Sequence, residues 1–265
     1  MSRNILLIVE GAVTEPKIFG EIFKKYNFEV EVKNEKLSKT LNNNQYIFNL
    51  SKYTKHKDTI TIVQGTHSML NHVVKSYNKN FDDFESFFSD CSEYYNGVFY
   101  IYDIDHTTNK NLEYLSNILN DEANGMLLVS SPCIEILSEP KRKQPLITNK
   151  LSKYKKERNI ECHKIYKKDT TSYIIDNFES LIMYFLKQNY NDFNEPNIME
   201  HPSLIINKIN HNNIREDDYV YYRYFTTVIY VCIAYALGLT KQIKNYNEVY
   251  NFFKSKISTK EECLV

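Results

Sequence analysis

Five carboxylates in this sequence have the residue types and the spacing to bind a divalent cation. Each lies at or just past the end of an apolar stretch, and the set is Glu10, Glu15, Asp103, Asp105 and Glu135. Carboxylate oxygens, with no histidine or cysteine required, are the ligands that Mg2+ and Mn2+ select in proteins. The sequence therefore predicts a hard-oxygen metal site, and magnesium sites of this kind commonly bind phosphates.

The segment Asp103-Ile104-Asp105 has the most defined geometry of this set. Alternate residues of a strand share a face, so the two aspartates would project the same way, ~7 Å apart at ~3.3 Å per residue. Two such charges repel each other unless a cation or hydrogen bonds offset the repulsion. A role in binding one or two ions is therefore favoured over a structural role. For Glu15 alone, an interaction with the dipole of the following helix is an equally good explanation.

Four apolar runs are predicted to be the buried strands that position these carboxylates. They cover residues 5–9, 59–63, 97–102 and 125–129. Helical patterns alternate with these runs, which predicts right-handed crossovers, a mostly parallel sheet and an α/β fold. Ligands of such sheets bind outside the carboxyl ends of the strands, which is where the carboxylates are expected.

The segment after the first strand has a clear helical pattern. Apolar residues recur on one helical face from Ile18 to Tyr26. Thr14 is the expected N-cap, and Pro16 suits the first helical turn. The polar stretch 31–57 that follows is interpreted as an insertion.

Positive charge is concentrated in one part of the chain. The 265 residues include 33 lysines and arginines and 33 aspartates and glutamates, so the formal net charge is zero and any affinity for nucleic acid must be local. Eleven basic residues and two glutamates lie between 141 and 168, a net charge of +9. Such a strip suits a phosphodiester backbone, although a solvated lysine-rich loop has the same composition. The candidate nucleic-acid-binding residues are Lys153, Lys155, Lys156, Arg158, Lys164 and Lys167.

The cysteines and the apolar stretches argue against several other classes of protein. The five cysteines are far apart and include no C-x-x-C pair, which opposes a zinc knuckle or a disulfide scaffold. The N-terminus lacks the pattern of a signal peptide, and the longest apolar stretch, 225–239, is too short to span a bilayer. We therefore expect a soluble, cytoplasmic protein with no membrane partner.

The C-terminal part of the chain is predicted to be a helical extension. Residues 190–202 contain two prolines and are interpreted as a linker. Helices are expected at about 219–237, which is rich in tyrosine, and at 246–253. This organisation predicts an α/β domain at 1–190 and an extension at 191–265, whose aromatic helices suit packing or self-association into a homo-oligomer.

Four segments resemble Toprim-fold proteins, and more narrowly the RloB-like proteins of bacterial defence loci. They are VEGAVTEP at 9–16, the Asp103-Ile104-Asp105 segment, SPCIE at 131–135, and Tyr166-Lys167-Lys168 ahead of a helix. The resemblance covers about residues 1–190. It implies a Toprim-like, mostly parallel sheet of about four strands flanked by helices.

The resemblance also implies metal-dependent phosphodiester chemistry. In Toprim enzymes, the glutamate that matches Glu10 and the aspartates that match Asp103 and Asp105 hold magnesium. These three residues are therefore the expected catalytic ligands of a first Mg2+ or Mn2+ ion.

A second ion and a catalytic lysine are implied by the related nucleases of the OLD family. In that family further acidic residues bind a second metal, and a late lysine assists at the phosphate. Glu15 and Glu135 match the additional acids, and Lys168 matches the lysine. Three other lysines compete for that last role: Lys155, Lys164 and Lys167. Because such proteins are often paired with an ABC- or SMC-like ATPase, the chain would be the effector of an antiphage, abortive-infection system.

The leading hypothesis is thus a metal-dependent nuclease acting on DNA or RNA, and three alternatives stand beside it. A catalytically silent Toprim module would bind or restrain an ATPase partner. A primase- or topoisomerase-like activity has little room in this chain, because topoisomerases need a catalytic tyrosine on a separate domain. A receiver-like domain also gathers acids and a lysine at strand ends, but it would leave the basic strip without a purpose.

Overall fold

The chain divides into two compact units. The computed structural model describes residues 3–36, 57–65, 95–103, 115–117, 119–121, 125–131, 133–139, 146–148, 151–184, 215–216, 219–222, 225–226 and 251–256. One compact unit covers Met1–Tyr102 and Thr107–Leu127, and the other covers Asp103–His106 and Leu128–Val265.

Five parallel strands form the main sheet, and the α/β fold is confirmed. The parallel strands are β1 (Asn4–Val9), β2 (Glu29–Lys36), β3 (Thr59–Gln64), β4 (Gly97–Asp103) and β6 (Gly125–Ser131), and a short strand, β5 (Asn120–Asp121), precedes β6. The parallel strands lie in the order β6-β4-β1-β3-β2, and β5 pairs antiparallel with β6. All four predicted strands are present. Strands covered on both faces are apolar throughout, which is why β1, β4 and β6 were recognisable in the sequence.

β1 is at the centre of this arrangement because it pairs in parallel on both sides. Val9 lies opposite Gln64 of β3 and opposite Ile101 of β4. Every residue of β1 from Ile5 to Val9 is fully buried. The carboxyl ends of β1, β3 and β4 consequently share one edge of the sheet, which is the edge predicted to carry the site.

The sheet contains one parallel strand, β2, beyond the four that the sequence predicted. The interpretation of 31–57 as an insertion is wrong at its start, because β2 covers Glu29–Lys36 and pairs with β3. The strand lies at the end of the sheet path, and Val32 is 45% exposed. An edge strand pairs on one side only, so it tolerates the polar residues that suggested an insertion.

Helices follow the sheet strands in both units. They are α1 (Thr14–Lys25), α2 (Leu151–Tyr166), α3 (Thr170–Asp176) and α4 (178–184). α1 buries Ile18, Phe19, Ile22 and Phe23, as its spacing predicts, and it contacts β2 and β3. Thr14 is the first helical residue rather than the N-cap, a position that Val13 takes without a side-chain hydrogen bond. None of the described helices is long and apolar enough to cross a membrane.

Four short strands complete the described structure. They are β7 (Leu146–Thr148), β8 (Arg215–Glu216), β9 (Tyr219–Tyr222) and β10 (Phe225–Thr226). β7, β9 and β8 form a second sheet in that order, and β10 pairs antiparallel with β6. The predicted helix at 219–237 is therefore wrong at its start. Tyrosine and valine favour extended backbone, and pairing with β7 realises that preference.

The remainder of the predicted C-terminal extension is only partly described. Residues 227–237 lie outside the described segments, and 251–254 form a helical turn that overlaps the end of the helix predicted at 246–253. The division between 1–190 and 191–265 stays a prediction, and the β7–β9 and β6–β10 pairs join residues from either side of it.

An ion pair ties together the starts of three parallel strands. The Arg3 guanidinium binds the Asp58 carboxylate, and the Arg3 backbone N–H donates to Asp58 Oδ1 at 2.8 Å. The Asp58 carbonyl accepts the Glu29 N–H at 2.8 Å, and Arg3 lies over the ring of Phe28 at 5.0 Å. The hydrogen bond from Arg3 holds the pKa of Asp58 below its ordinary value, because it favours the charged carboxylate.

Replacement of Asp58 by asparagine should lower the free energy of unfolding by about 1 kcal/mol near ~pH 7, because a partly buried ion pair is lost. A carboxyl group whose pKa is depressed in the folded protein contributes its full stabilisation above its ordinary pKa. This contribution is lost as the pH falls through the depressed value. The difference between wild type and Asp58→Asn should therefore shrink on acidification. Urea unfolding of both proteins at several pH values measures it.

Glu21→Gln is the matched control, since Glu21 pairs with Lys24 on the exposed surface of α1. It should cost less than about 0.5 kcal/mol. A difference for Asp58→Asn that is constant from neutral to acid pH would refute the proposed stabilisation.

Candidate functional site

Asp103, the last residue of β4, is the buried centre of the site. It is 4% exposed, and both of its carboxylate oxygens have partners. Oδ1 accepts the backbone N–H of Ile134 at 3.0 Å, and Oδ2 accepts Lys155 Nζ at 3.0 Å. The strand thus fixes the backbone of Asp103, and two further elements fix its side chain.

Glu135 reaches the same place from a different element. β6 ends at Ser131, and a 3-10 turn then covers Ile134–Ser138, which puts Glu135 in its first turn. The Glu135 side chain is 13% exposed, and its Oε2 atom lies 3.8 Å from Lys155 Nζ. Oε2 is buried and accepts no hydrogen bond from the described residues. Asp103, Cys133 and Glu135 each offer one atom, and these atoms lie within 4.8 Å of one another.

Lys155 supplies the positive charge between the two carboxylates. It lies on α2, and 34% of its side chain is exposed. Burial lowers the pKa of Lys155, but the charges of Asp103 and Glu135 outweigh this effect and raise the pKa above its ordinary value. The ammonium group is therefore charged and bridges the two acids.

The donor set fits a hard divalent cation better than a soft one. Burial raises the pKa of the Cys133 thiol, and the charges of Glu135 and Asp103 raise it further, so the thiol stays protonated. The two carboxylates are then the available ligands, and Glu135 Oε2 has an unused acceptor position. Mg2+ and Mn2+ favour such oxygen ligands, with water completing the shell. The ammonium of Lys155 would have to leave for a cation to bind both acids.

Arg158 lies in the interior, whereas the sequence placed it among the nucleic-acid-binding residues. It is 5% exposed, and its guanidinium donates to Ser138 Oγ at 3.2 Å and to the Ser138 carbonyl at 3.1 Å. It also donates to Glu139 at 3.0 Å and to Glu161 at 2.7 Å, while Tyr154 donates to Glu139 at 2.9 Å. Arg158 therefore clamps the 3-10 turn that carries Glu135 onto α2, and its donors are not available to phosphates.

The exposed face of α2 carries most of the other predicted nucleic-acid-binding lysines. Lys153, Lys156, Ile160 and Lys164 are spaced at i, i+3, i+7 and i+11, and all four are exposed. This spacing keeps them on one face over ~16 Å of helix, at ~1.5 Å per residue. Lys167 follows the helix and is also exposed. We call the three lysines on the helix, Lys153, Lys156 and Lys164, the α2 basic stripe, and they lie opposite the buried residues of α2.

The expected catalytic lysine, Lys168, has a different environment from Lys155. It is exposed and forms an ion pair with Asp176 at 2.5 Å. Lys155, one of the three competing lysines, is the one that contacts Asp103 and Glu135. A sequence signal for this was available, since Leu151, Tyr154 and Cys162 mark a buried helical face that Lys155 flanks.

Glu10 and Glu15 belong to the other compact unit. Glu10 directly follows β1, and its backbone N–H donates to the Ile101 carbonyl at 3.1 Å. Glu15 is 6% exposed in the first turn of α1. A Cβ atom on Gly11 would lie 2.0 Å from Glu15 Oε2, so a larger residue at this position would force the Glu15 carboxylate to move. Asp105 lies outside the described residues.

Comparisons with known proteins identify no relative of this chain. No protein-family model, no curated protein and no solved structure matches the chain. The chemistry of the site therefore rests on its own side chains and on their geometry.

Replacement of Arg158 by methionine should lower the free energy of unfolding by about 2–4 kcal/mol, because it removes the hydrogen bonds to buried Ser138 and the ion pair with partly buried Glu139. Lys156→Met removes the same charge from the exposed face of the same helix, and it should change stability by less than about 0.5 kcal/mol. Urea denaturation measures the free energy of unfolding of wild type and of the two variants. Equal stability of the two variants would show that Arg158 does not clamp the turn.

Proposed function

We propose that this protein is a Mg2+- or Mn2+-dependent nuclease that hydrolyses phosphodiester bonds of nucleic acid. The observation that carries the proposal is the buried pair of Asp103 and Glu135 carboxylates bridged by Lys155. Two acids at the ends of parallel strands, with a lysine from a helix beside them, are suited to bind a cation and a phosphate together.

Asp103, Glu135 and Lys155 each have a different proposed role in this cluster. The Ile134 N–H holds Asp103 Oδ1, and Oδ2, which accepts the Lys155 ammonium in this structure, would bind a cation in place of that ammonium. Glu135 provides a second carboxylate, and Lys155 can neutralise charge on a phosphate oxygen. A bound Mg2+ or Mn2+ would activate water for in-line attack and stabilise the leaving oxygen.

The Toprim resemblance supplies the rest of the proposed ligand set. It assigns Glu10, Asp103 and Asp105 to a first ion, and Glu15 with Glu135 to a second. The burial of Glu15 against Gly11 supports a fixed role for its carboxylate, since a glutamate that only interacts with a helix dipole does not need to be buried.

The α2 basic stripe supports nucleic acid as the substrate. Its lysines are exposed on the helix that also carries Lys155, so one element presents charge to a phosphate backbone and to the acidic cluster. Phosphate contacts by lysine dominate sequence-independent binding to nucleic acid. From the resemblance alone we further propose a cytoplasmic effector of antiphage defence, paired with an ABC- or SMC-like ATPase.

A second candidate function is a catalytically silent Toprim module that binds or restrains an ATPase partner. The observation in its favour is that Lys155 already neutralises the acidic cluster, so the fold can keep these acids without a metal.

Purified chain with Mn2+ should cut plasmid DNA or total RNA, and EDTA should stop the reaction. Asp103→Asn should reduce the cleavage rate at least about a hundredfold, because it removes a charged ligand in the cluster. Asp176→Asn is the matched control, since Asp176 is exposed and bound to Lys168, and it should cut like wild type. Gel analysis measures cleavage by wild type and by both variants, with and without the product of a neighbouring ATPase gene.

Two outcomes would count against the nuclease. Metal-dependent cleavage that survives in Asp103→Asn and also in Glu10→Ala would discard the mechanism. No cleavage under any of these conditions would favour the silent module.

The double replacement Lys156→Ala with Lys164→Ala should weaken nucleic-acid binding without loss of stability. Each phosphate contact contributes about −0.7 to −0.9 to the slope of log affinity against log salt, so the slope should become shallower by about 1.4–1.8. Lys17→Ala with Lys254→Ala removes two exposed lysines elsewhere and should leave the slope unchanged. Fluorescence anisotropy over a salt series measures it, and equal slopes for both double variants would exclude the stripe.

A further inference from the structure

The bridge made by Lys155 is unequal, and this inequality suggests how it can be broken. Its ammonium is 3.0 Å from Asp103 Oδ2 and 3.8 Å from Glu135 Oε2, so only the first contact is a hydrogen bond. Glu135 Oε2 remains a buried acceptor with no hydrogen bond from the described residues. One positive charge thus faces two negative charges, and the cluster keeps a net negative charge.

A divalent cation would satisfy the same two acids more completely. Its double charge balances both carboxylates, and it can bind an oxygen of each at once. An ammonium and a divalent ion cannot occupy the same position between Asp103 and Glu135, and their like charges repel strongly at short range in a buried site. Binding of one therefore requires the departure of the other.

The two acids do not depend on Lys155 alone for their positions. The Ile134 N–H holds Asp103 Oδ1 at 3.0 Å. Arg158 holds the turn that carries Glu135 through Ser138 and Glu139. Lys155 also has a way out, because 34% of its side chain is exposed on a flexible four-carbon stem.

We propose that Lys155 is a built-in competitor for the divalent cation, which keeps the metal-free acids together and sets the affinity for metal. This inference rests on the proposed function, because it takes the acidic cluster to be the metal site. In the metal-free protein Lys155 is the counter-ion. When the cation binds, Lys155 moves to the exposed edge of α2.

Mn2+ affinity of the full-length protein, measured by isothermal titration calorimetry, tests this directly. Lys155→Met should bind Mn2+ about ten- to a hundredfold more tightly than wild type, the range expected when a charged hydrogen bond no longer has to be broken. Lys156→Met is the matched control, with the same charge change one residue away on the exposed face. It should alter the affinity by less than about threefold, because exposed charges are screened.

A second measurement uses the wild-type protein and so does not depend on a variant that folds. Limited acetylation followed by mass spectrometry reports how available each lysine amine is. Saturating Mn2+ should raise acetylation of Lys155 several-fold relative to Lys156, which serves as the internal reference. Mg2+ should act in the same direction at higher concentration.

The outcomes separate this inference from the proposed function. If Mn2+ binds wild type and Lys155→Met with equal affinity, or if Mn2+ leaves Lys155 acetylation unchanged, the competition is refuted and the nuclease proposal stands. If neither protein binds Mn2+, the metal site itself is refuted, and the competition is refuted with it.

Discussion

The repulsion between two buried carboxylates is the constraint on which the site depends. Asp103 and Glu135 come from different elements, and their ligating atoms lie within 4.8 Å of each other. Two negative charges at this distance in a poorly solvated place are unstable without a cation nearby. In this structure the Lys155 ammonium offsets that repulsion. Any metal ion that replaces the ammonium must offset the same negative charge.

α2 supplies this positive charge, and the different sides of the helix make different contacts. Its buried side carries Leu151, Tyr154 and Cys162, which attach the helix to its unit. Arg158 fastens the 3-10 turn, and Lys155 reaches the acids from the border between the buried and exposed sides. The exposed side carries the basic stripe. A single helix therefore connects the geometry of the acidic cluster with the surface proposed to contact a phosphate backbone.

Much of the fold could be predicted because parallel strands buried on both faces are apolar without interruption. The same reasoning placed Asp103 and Glu135 at strand ends, and in the structure Asp103 is the last residue of β4 while Glu135 follows β6. β2 was missed because an edge strand needs no continuous apolar run. β9 was missed because its tyrosines were interpreted as the packing face of a long helix, although tyrosine and valine favour extended backbone. The identity of the lysine at the acids could not be read from the run of lysines itself, but the spacing of Leu151, Tyr154 and Cys162 gave a signal for it. It depends on which side of α2 is buried, and Tyr154 and Arg158 together set that side.

The central claim is that Asp103 and Glu135 bind a divalent cation in the place where Lys155 now lies. Diffraction data collected at the manganese absorption edge, from crystals of the full-length protein grown with Mn2+, test it most directly. We predict an anomalous peak within about 2.3 Å of an oxygen of each carboxylate, with the Lys155 ammonium moved away. Continuous density for the Lys155 bridge, with no manganese at either acid, would contradict it.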